Sequence, residues 1–502
     1  MQPSEAPFTL HLADESRTIL FGEDLALALK AGDCLALHGD LGSGKSTLSR
    51  AMIRAMADDP VLEVPSPTFT LVQNYRTRIP IAHFDLYRIG DPDELFELGL
   101  EEVLEDGIAL VEWPEMAGGN LPETAIHLTL SHEGSGRAVS ITGSEKTMSR
   151  IRRVMKIRDF LSRHGYGSAR RRFLSGDASI FRAYEIIHPE SGEPQVLMDW
   201  PKPPLGAPVL DGKPYAEVAH LATNALPFIA IGNALHERGF STPAIRAADR
   251  DDGILIMEDL GRDGVLDEAG RPIEERYMES AACLARLHDQ AVPRDIPVDD
   301  ALYHVPEFDP TAMKIEVSLL PDWHLPWKSG HPVEPARRDE YFAIWDELID
   351  ILHGAETHLL LRDYHSPNLI WLADRTGTDR VGIIDFQDAM IGPTAYDVAS
   401  LVQDARVDMD PALSERLLRH YLSLRTSSSF DEDNFRTAFA IMAAQRNCKL
   451  AGIWVRLLQR DGKPYYMKHM PRTLSYLNSV FRHPALQRLK TWCLDAGMEL
   501  EP

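Results

Sequence analysis

Only four of the 502 residues are cysteine, and Cys34, Cys283, Cys448 and Cys493 lie far apart with no Cys-x-x-Cys or Cys/His spacing. That scarcity argues against a disulfide framework and against a zinc site. Positive charge is also in short supply: 52 Lys and Arg stand against 76 Asp and Glu, a net charge of −24. So acidic a surface repels phosphate backbones, so direct duplex-DNA binding is not expected and any nucleic-acid contact is local or made through a partner subunit. Long apolar runs are missing as well. The best uncharged run, LATNALPFIAIGNAL, has 15 residues and contains Asn, Pro and Gly, and the opening MQPSEAPFTLHLADESRT has no basic segment followed by an apolar one. Neither a signal peptide nor a membrane span is expected, which makes the cytoplasm the expected compartment. Internal repeats, heptads and low-complexity tracts are absent.

What is present is an ordinary globular composition, 44% apolar, over a length beyond the roughly 250–300 residues at which one core stops growing. At least two domains are expected. The Gly/Ser/Thr-rich stretch SHEGSGRAVSITGSEKT, followed by a basic helix-like run from Ser149, marks the boundary, with one domain over 1–145 and another over 148–502. Before it, short apolar runs (CLALHG, AHFDLYR, GIALVEW) alternate with helical stretches (STLSRAMIRAMA, DELFELGLEEVLE), the pattern of an α/β sheet domain. After it come strand-like runs (YEIIH, QVLMDW, ILIMEDL) and then long helical stretches enclosing NLIWL and RVGIIDF, an α+β pattern with a helix-rich second lobe.

Gly39-Asp40-Leu41-Gly42-Ser43-Gly44-Lys45-Ser46-Thr47 matches G-x-x-x-x-G-K-[ST], follows the run CLALH and opens a helical stretch, so strand, loop and helix are all in place for a P-loop. Glycines let successive N–H groups point at phosphates, the helix N-terminus adds positive dipole, Lys45 reaches the β- and γ-phosphates, and the Ser46 hydroxyl is a Mg²⁺ ligand. ATP with Mg²⁺ is the expected cofactor. Asp85, within the apolar run IAHFDLYR, sits where a second Mg²⁺ anchor belongs, although an Asp there also reads as a strand-edge or turn residue. GDLGSGKST, SPTFTLV (66–72), FDLYR (84–88), ELGLEE (97–102) and VEWPE (111–115) together resemble, in order, the TsaE family, the bacterial ATPase subunit of the system that makes threonylcarbamoyladenosine on tRNA. The resemblance covers roughly residues 8–143. It implies a switch-like Thr68 near the γ-phosphate, Asp85 on Mg²⁺, Glu112 orienting the attacking water, Trp113 completing the nucleotide site, and partners among the tRNA-modification subunits. Trp113 reads equally as core packing.

A second constellation lies in Arg362-Asp363-Tyr364-His365-Ser-Pro-Asn368, where Asp and Asn stand five apart, and Asp385 of Ile-Ile-Asp-Phe follows 22 residues after Asp363. That is the order proton acceptor, metal ligand, metal ligand of a kinase catalytic loop. A hydroxyl attacking a γ-phosphoryl needs a carboxylate to take its proton, the task of Asp363, and oxygen ligands for Mg²⁺, the task of Asn368 and Asp385. With GILIMEDLG (253–261), LARLH (284–288) and SGDAS (175–179), residues 150–502 resemble the aminoglycoside-phosphotransferase-like kinases. GDAS, VLMD, LRDYHSPNL, IDFQDAMIGPTAYD and QRNCK look most like the anomeric kinases of N-acetylmuramate and N-acetylglucosamine in cell-wall recycling. The resemblance implies a bilobal protein-kinase-like fold, a loop over phosphates at SGDAS, a hinge strand carrying the nucleotide-side residues Met257 and Asp259, and a small amino sugar as acceptor.

Two departures stand out. Met198 occupies the strand position where relatives place a Lys, leaving Lys202 or Arg182 to supply charge, each of which also reads as a solvated basic residue. Arg362 replaces the Gly of the family's H-G-D, so His365 reads as a loop-ordering group and Asp397 as structural. Three readings stand at this point: a fused ATPase and sugar kinase, an ATPase with a pseudokinase appendage, and a kinase carrying a nucleotide-dependent sensor.

Overall fold

The computed structural model describes residues 7–92, 94–176, 182–204 and 206–500. It divides into two compact units, 1–199 and 200–502.

In the first unit, β1 (Phe8–Leu12), α1 (Glu15–Ala28), β2 (Cys34–His38), α2 (Lys45–Ala57), β3 (Val72–Tyr75), β4 (Ile81–Asp85), α3 (Glu94–Glu97), α4 (Leu100–Asp106), β5 (Ile108–Glu112), β6 (Ile126–Glu133) and β7 (Gly136–Thr142) build a seven-stranded sheet ordered β1-β7-β6-β2-β5-β4-β3. Strands β6, β2, β5 and β4 run parallel; β3 pairs antiparallel with β4 at one edge, and at the other side β7 pairs antiparallel with both β6 and the edge strand β1. The central strands are covered on both faces, which is why CLALH and IALVE carry almost no polar residue. Strand alternation sends Leu35, Leu37, Ile108 and Leu110 into the layer shared with α1 and α2, and Cys34, Ala109 and Val111 into the opposite core. All four cysteines are free and buried.

The basic run after the boundary is α5 (Glu145–Arg163), which starts earlier than Ser149 because Ser144 caps it, its hydroxyl accepting from Thr147 N–H. Antiparallel strands β8 (Arg170–Gly176), β9 (Ala183–His188) and β10 (Gln195–Asp199) complete the unit. Of the SGDAS motif, Asp177, Ala178 and Ser179 lie outside the described residues.

The second unit holds the hairpin Ile245–Asp249/Ile254–Glu258, four short antiparallel pairs (among them Thr357–Leu360 with Met390–Pro393 and Leu369–Trp371 with Val381–Ile383) and many helices. Its axis is the 28-residue helix Glu432–Gln459, whose residues from Ala440 to Cys448 are all buried. No helix among the described residues is long and apolar enough to cross a membrane.

Candidate active sites

The P-loop closes as its sequence dictates. Gly39 has φ +135°, and a Cβ there would lie 2.3 Å from the Leu130 carbonyl oxygen, so only glycine fits. Gly44, in the left-handed region, caps α2 and delivers Lys45, Ser46 and Thr47 to its first turn. Lys45 Nζ donates to the carbonyls of Gly39 (2.5 Å) and Asp40 (3.0 Å) and rests 3.8 Å from the centre of the Trp113 ring. Burial lowers its pKa, opposed by the carboxylates of Glu112, Glu115, Asp85 and Asp40. Trp113 also packs on Tyr87, with centroids 5.0 Å apart.

Register brings the carboxylates together. Asp85 and Glu112 are paired residues at the C-terminal ends of adjacent parallel strands, the edge where open α/β sheets take their ligands. Glu112 Oε2 accepts from Ser46 Oγ at 2.9 Å, while its other oxygen meets Ser49 Oγ (3.2 Å) and His83 Nε2 (2.8 Å). Asp85 Oδ2 accepts from Thr68 (2.9 Å) and Ser66 (3.0 Å). Hydroxyl and carboxylate oxygens are the hard donors that suit Mg²⁺. Two further groups have no sequence signature. Arg137 on β7 donates to the carbonyls of Ser43 (2.8 Å) and Gly42 (3.3 Å), bracing the P-loop from about 95 residues away, and buried His83 fixes Glu112.

In the second unit the catalytic-loop residues converge. Asn368 Nδ2 donates to the Asp363 carbonyl (2.9 Å) and approaches Asp385 Oδ2 (3.4 Å), and Gln387 Nε2 donates to Asp385 Oδ1 (2.9 Å). The buried Gln387 Oε1 has no hydrogen-bond partner, leaving an orphan acceptor beside Asp385. Arg362 and Asp385 both have positive φ, +69° and +60°, a strain that clusters at functional sites. Beneath the loop, fully buried Asp397 accepts the N–H groups of Leu361 and Arg362 (2.5 and 2.8 Å), and burial pushes its carboxyl up to about 7. That geometry is structural.

Arg362 turns inward to buried Glu316, which also binds Lys449 (2.7 Å) and Gln445 (2.9 Å). His365 stands 3.7 Å from Asp363 Oδ1, with Arg406 within 3.0 Å of both its ring nitrogens. Burial and Arg406 lower His365, so the ring is neutral near pH 7 and orders the loop. Burial acts to raise Asp363, but His365, Lys449 and Arg362 override it and hold the carboxyl well below the usual range. Lys449 lies in the QRNCK block, whereas Glu316 and Arg406 carry no motif. Met257 is buried on its strand, and Asp259 sits in the turn beyond, accepting from Gly261 N–H (3.0 Å) and Arg262 (2.6 Å). Met198 is buried in β10.

The phosphotransferase enzyme family matches residues 171–435, and the family described as threonylcarbamoyl adenosine biosynthesis protein TsaE matches residues 12–139. The chain therefore belongs to the phosphotransferase enzyme family and carries a TsaE-family P-loop domain in front of it. It is an ATP-using enzyme of the kinase class. Among relatives, the N-acetylmuramate/N-acetylglucosamine kinase of Caulobacter vibrioides is 34% identical over 344 residues, 66% of this chain and 93% of that protein. The tRNA threonylcarbamoyladenosine biosynthesis protein TsaE of Rickettsia bellii is 39% identical over 120 residues, 24% of this chain and 83% of that protein.

Proposed function

We propose that the chain is bifunctional: an ATPase of tRNA threonylcarbamoyladenosine formation over about 1–145, and over 148–502 a kinase that phosphorylates the anomeric hydroxyl of N-acetylmuramate or N-acetylglucosamine. The carrying observation is the convergence of Asp363, Asn368 and Asp385 through Asn368, supported by the C. vibrioides relative. At the first site the P-loop amides and Lys45 would hold the phosphates, Ser46 and Asp85 would hold Mg²⁺, Glu112 would orient a water, and Thr68 and Trp113 would border the nucleotide. Subunits of the tRNA-modification system are its partners, as the R. bellii relative suggests.

At the second site Asp363 accepts the proton of the attacking hydroxyl, and its low pKa keeps it ionised and ready near neutrality. Asn368 and Asp385 would hold Mg²⁺, with the free Gln387 oxygen beside them. When bound, the ion neutralises charge on the bridging phosphates. Met198 in place of a strand Lys favours a second reading, a pseudokinase that only binds nucleotide. One experiment separates the two. The full chain is incubated with ATP, Mg²⁺ and N-acetylglucosamine or N-acetylmuramate, and products are followed by phosphorus NMR. An anomeric phosphate signal is expected, absent with the methyl glycoside. A methyl glycoside phosphorylated as fast as the free sugar refutes the anomeric acceptor, and no phosphosugar at all supports the pseudokinase.

A further inference from the structure

On the 28-residue helix Glu432–Gln459, Arg446 and Lys449 stand three residues apart and share one face. Neighbouring like charges on a helix face repel, so each calls for an anion. Lys449 has one: its Nζ lies 2.7 Å from Oε1 of buried Glu316. That carboxylate is fully engaged, since Arg362 and Gln445 bind it too. Arg446 has none. It is 4% exposed, and among the described residues its hydrogen bonding is one long bond, from Nη1 to the Gln403 carbonyl at 3.4 Å, with no carboxylate in ion-pair range. That bond braces the end of the helix Ala395–Val402 and leaves most of the guanidinium fork unused. A buried charge without a counter-charge is costly, which makes Arg446 a group built to receive an anion.

The two cations converge on the helix Ala395–Val402, under the catalytic loop. Lys449 Nζ reaches the Tyr396 hydroxyl at 3.4 Å, and Arg446 acts electrostatically on Tyr396 and Asp397, opposing the rise that burial gives each. Asp397 in turn holds the N–H groups of Leu361 and Arg362, the two residues before Asp363. Lys449 is one of the cations that keep Asp363 ionised. Arg446, Lys449 and Tyr396 therefore border the carboxylate proposed to take the acceptor's proton, and all of them belong to the second unit.

The two sugars of the proposed reaction differ in the group that such a cation recognises. N-acetylmuramate is N-acetylglucosamine with a lactyl ether on the third carbon, whose carboxyl is ionised at neutral pH. N-acetylglucosamine carries no charge. We propose that Arg446, with Lys449 beside it, binds the lactyl carboxylate of N-acetylmuramate and is the residue by which this site tells the acid from the neutral sugar. The carboxylate and the anomeric hydroxyl belong to one small molecule, so an anion held at Arg446 orients the sugar while Asp363 meets the hydroxyl. Lys449 stays tied to Glu316 and serves Asp363, which leaves the discrimination to Arg446. This inference rests on the kinase reading above.

The test offers the full chain N-acetylmuramate, its methyl ester, in which the carboxylate is masked, and N-acetylglucosamine. Phosphosugar is measured by phosphorus NMR, so ATP turnover at the P-loop does not enter. The wild-type chain is expected to show a kcat/KM for the acid about ten-fold or more above that for the ester, carried by KM, the size of one charge-assisted hydrogen bond. Arg446→Gln is expected to bring that acid-to-ester ratio to within about two-fold of unity, and Arg446→Lys to keep part of it, whereas general damage to the fold lowers all three sugars together. A wild-type ratio near unity, a ratio unmoved by Arg446→Gln in a chain that keeps a cooperative thermal transition, or an equal loss on all three sugars overturns the proposal. If Arg446→Gln does not fold, the wild-type ratio and Arg446→Lys decide. If N-acetylglucosamine is phosphorylated but the acid is not preferred to its ester, this inference fails and the kinase reading stands. If no sugar is phosphorylated, the kinase reading has failed, and calorimetry with the acid and the ester still decides: acid binding that Arg446→Gln abolishes supports the site, while equal or absent binding overturns it.

Discussion

In its proposed role Asp363 faces two demands that pull against each other: it is partly enclosed, as a group that reaches a substrate hydroxyl would be, and yet it must stay ionised. His365, Lys449 and Arg362 resolve the conflict in favour of the anion. Replacing its carboxylate with an amide of the same shape removes the proton acceptor and little else. Asp363→Asn is expected to lower sugar phosphorylation by about 10²- to 10⁴-fold while calorimetry shows nearly unchanged Mg²⁺·ATP affinity. Asp385→Asn, which takes an anionic oxygen from the proposed Mg²⁺ site, is expected to weaken that affinity too, and a pair of variants indistinguishable in binding would refute the division of roles. At the other site, Lys45→Ala is expected to abolish P-loop ATP turnover. Asp85→Asn should reduce Mg²⁺-dependent turnover more than nucleotide binding, because the loop amides remain in place while a charged oxygen is lost.

At the scale of elements, the P-loop and the Asp363–Asn368–Asp385 order were legible in sequence because short motifs carry them, whereas Asp85 and Glu112 were given their roles through the resemblance of the FDLYR and VEWPE blocks, and only strand register brings them together. Contacts that bridge distant segments were not. Arg137 lies in GSGR, within the stretch taken to mark the domain boundary, and the β6–β7 hairpin carries it to the P-loop. Glu316 looks like any helical glutamate until Arg362 and Lys449 converge on it. The division of compact units at Asp199 has the same origin, since α5 and β8 are tied to Asp24 of α1 by ion pairs that no local pattern reveals. Gly452 is another hidden constraint. It sits in the 28-residue helix, where alanine is ordinarily the better residue, but a Cβ there would lie 2.1 Å from the Leu319 carbonyl oxygen. Gly452→Ala is therefore expected to destabilise the fold by about 1–3 kcal/mol through overpacking, read as a lower urea midpoint. A gain in stability would mean that the helix and the Leu319 segment part freely.

Over the whole molecule the surplus of acids is large, a formal charge of −24 with histidines neutral, and 19 histidines are there to gain protons as pH falls below neutrality. Buried histidines respond in that range, opposed by Asp397, whose carboxyl burial raises to about 7. His288, His324 and His469 are buried in the second unit. Burial, aided by Lys328, lowers His324 to about 4; burial, aided by Arg472 and Lys468, lowers His469 to about 4; and burial, with His358 and Arg425, lowers His288 well below its ordinary value. In the unfolded chain these rings take up protons near pH 6.5, whereas in the folded chain they stay neutral until far lower pH. Between those limits the unfolded state binds more protons, so this stability is fully present above about pH 6.5 and is lost as pH falls toward 4. His324, lowered from about 6.5 to about 4, contributes on the order of 3 kcal/mol over the full window. His324 offers the cleanest check, because its buried Nδ1 has no hydrogen-bond partner to lose. His324→Phe is expected to flatten the dependence of unfolding free energy on pH between 6.5 and 4.5 by close to one proton, measured by urea titrations at several pH values. An unchanged slope would show that the His324 ring is already able to charge inside the folded protein.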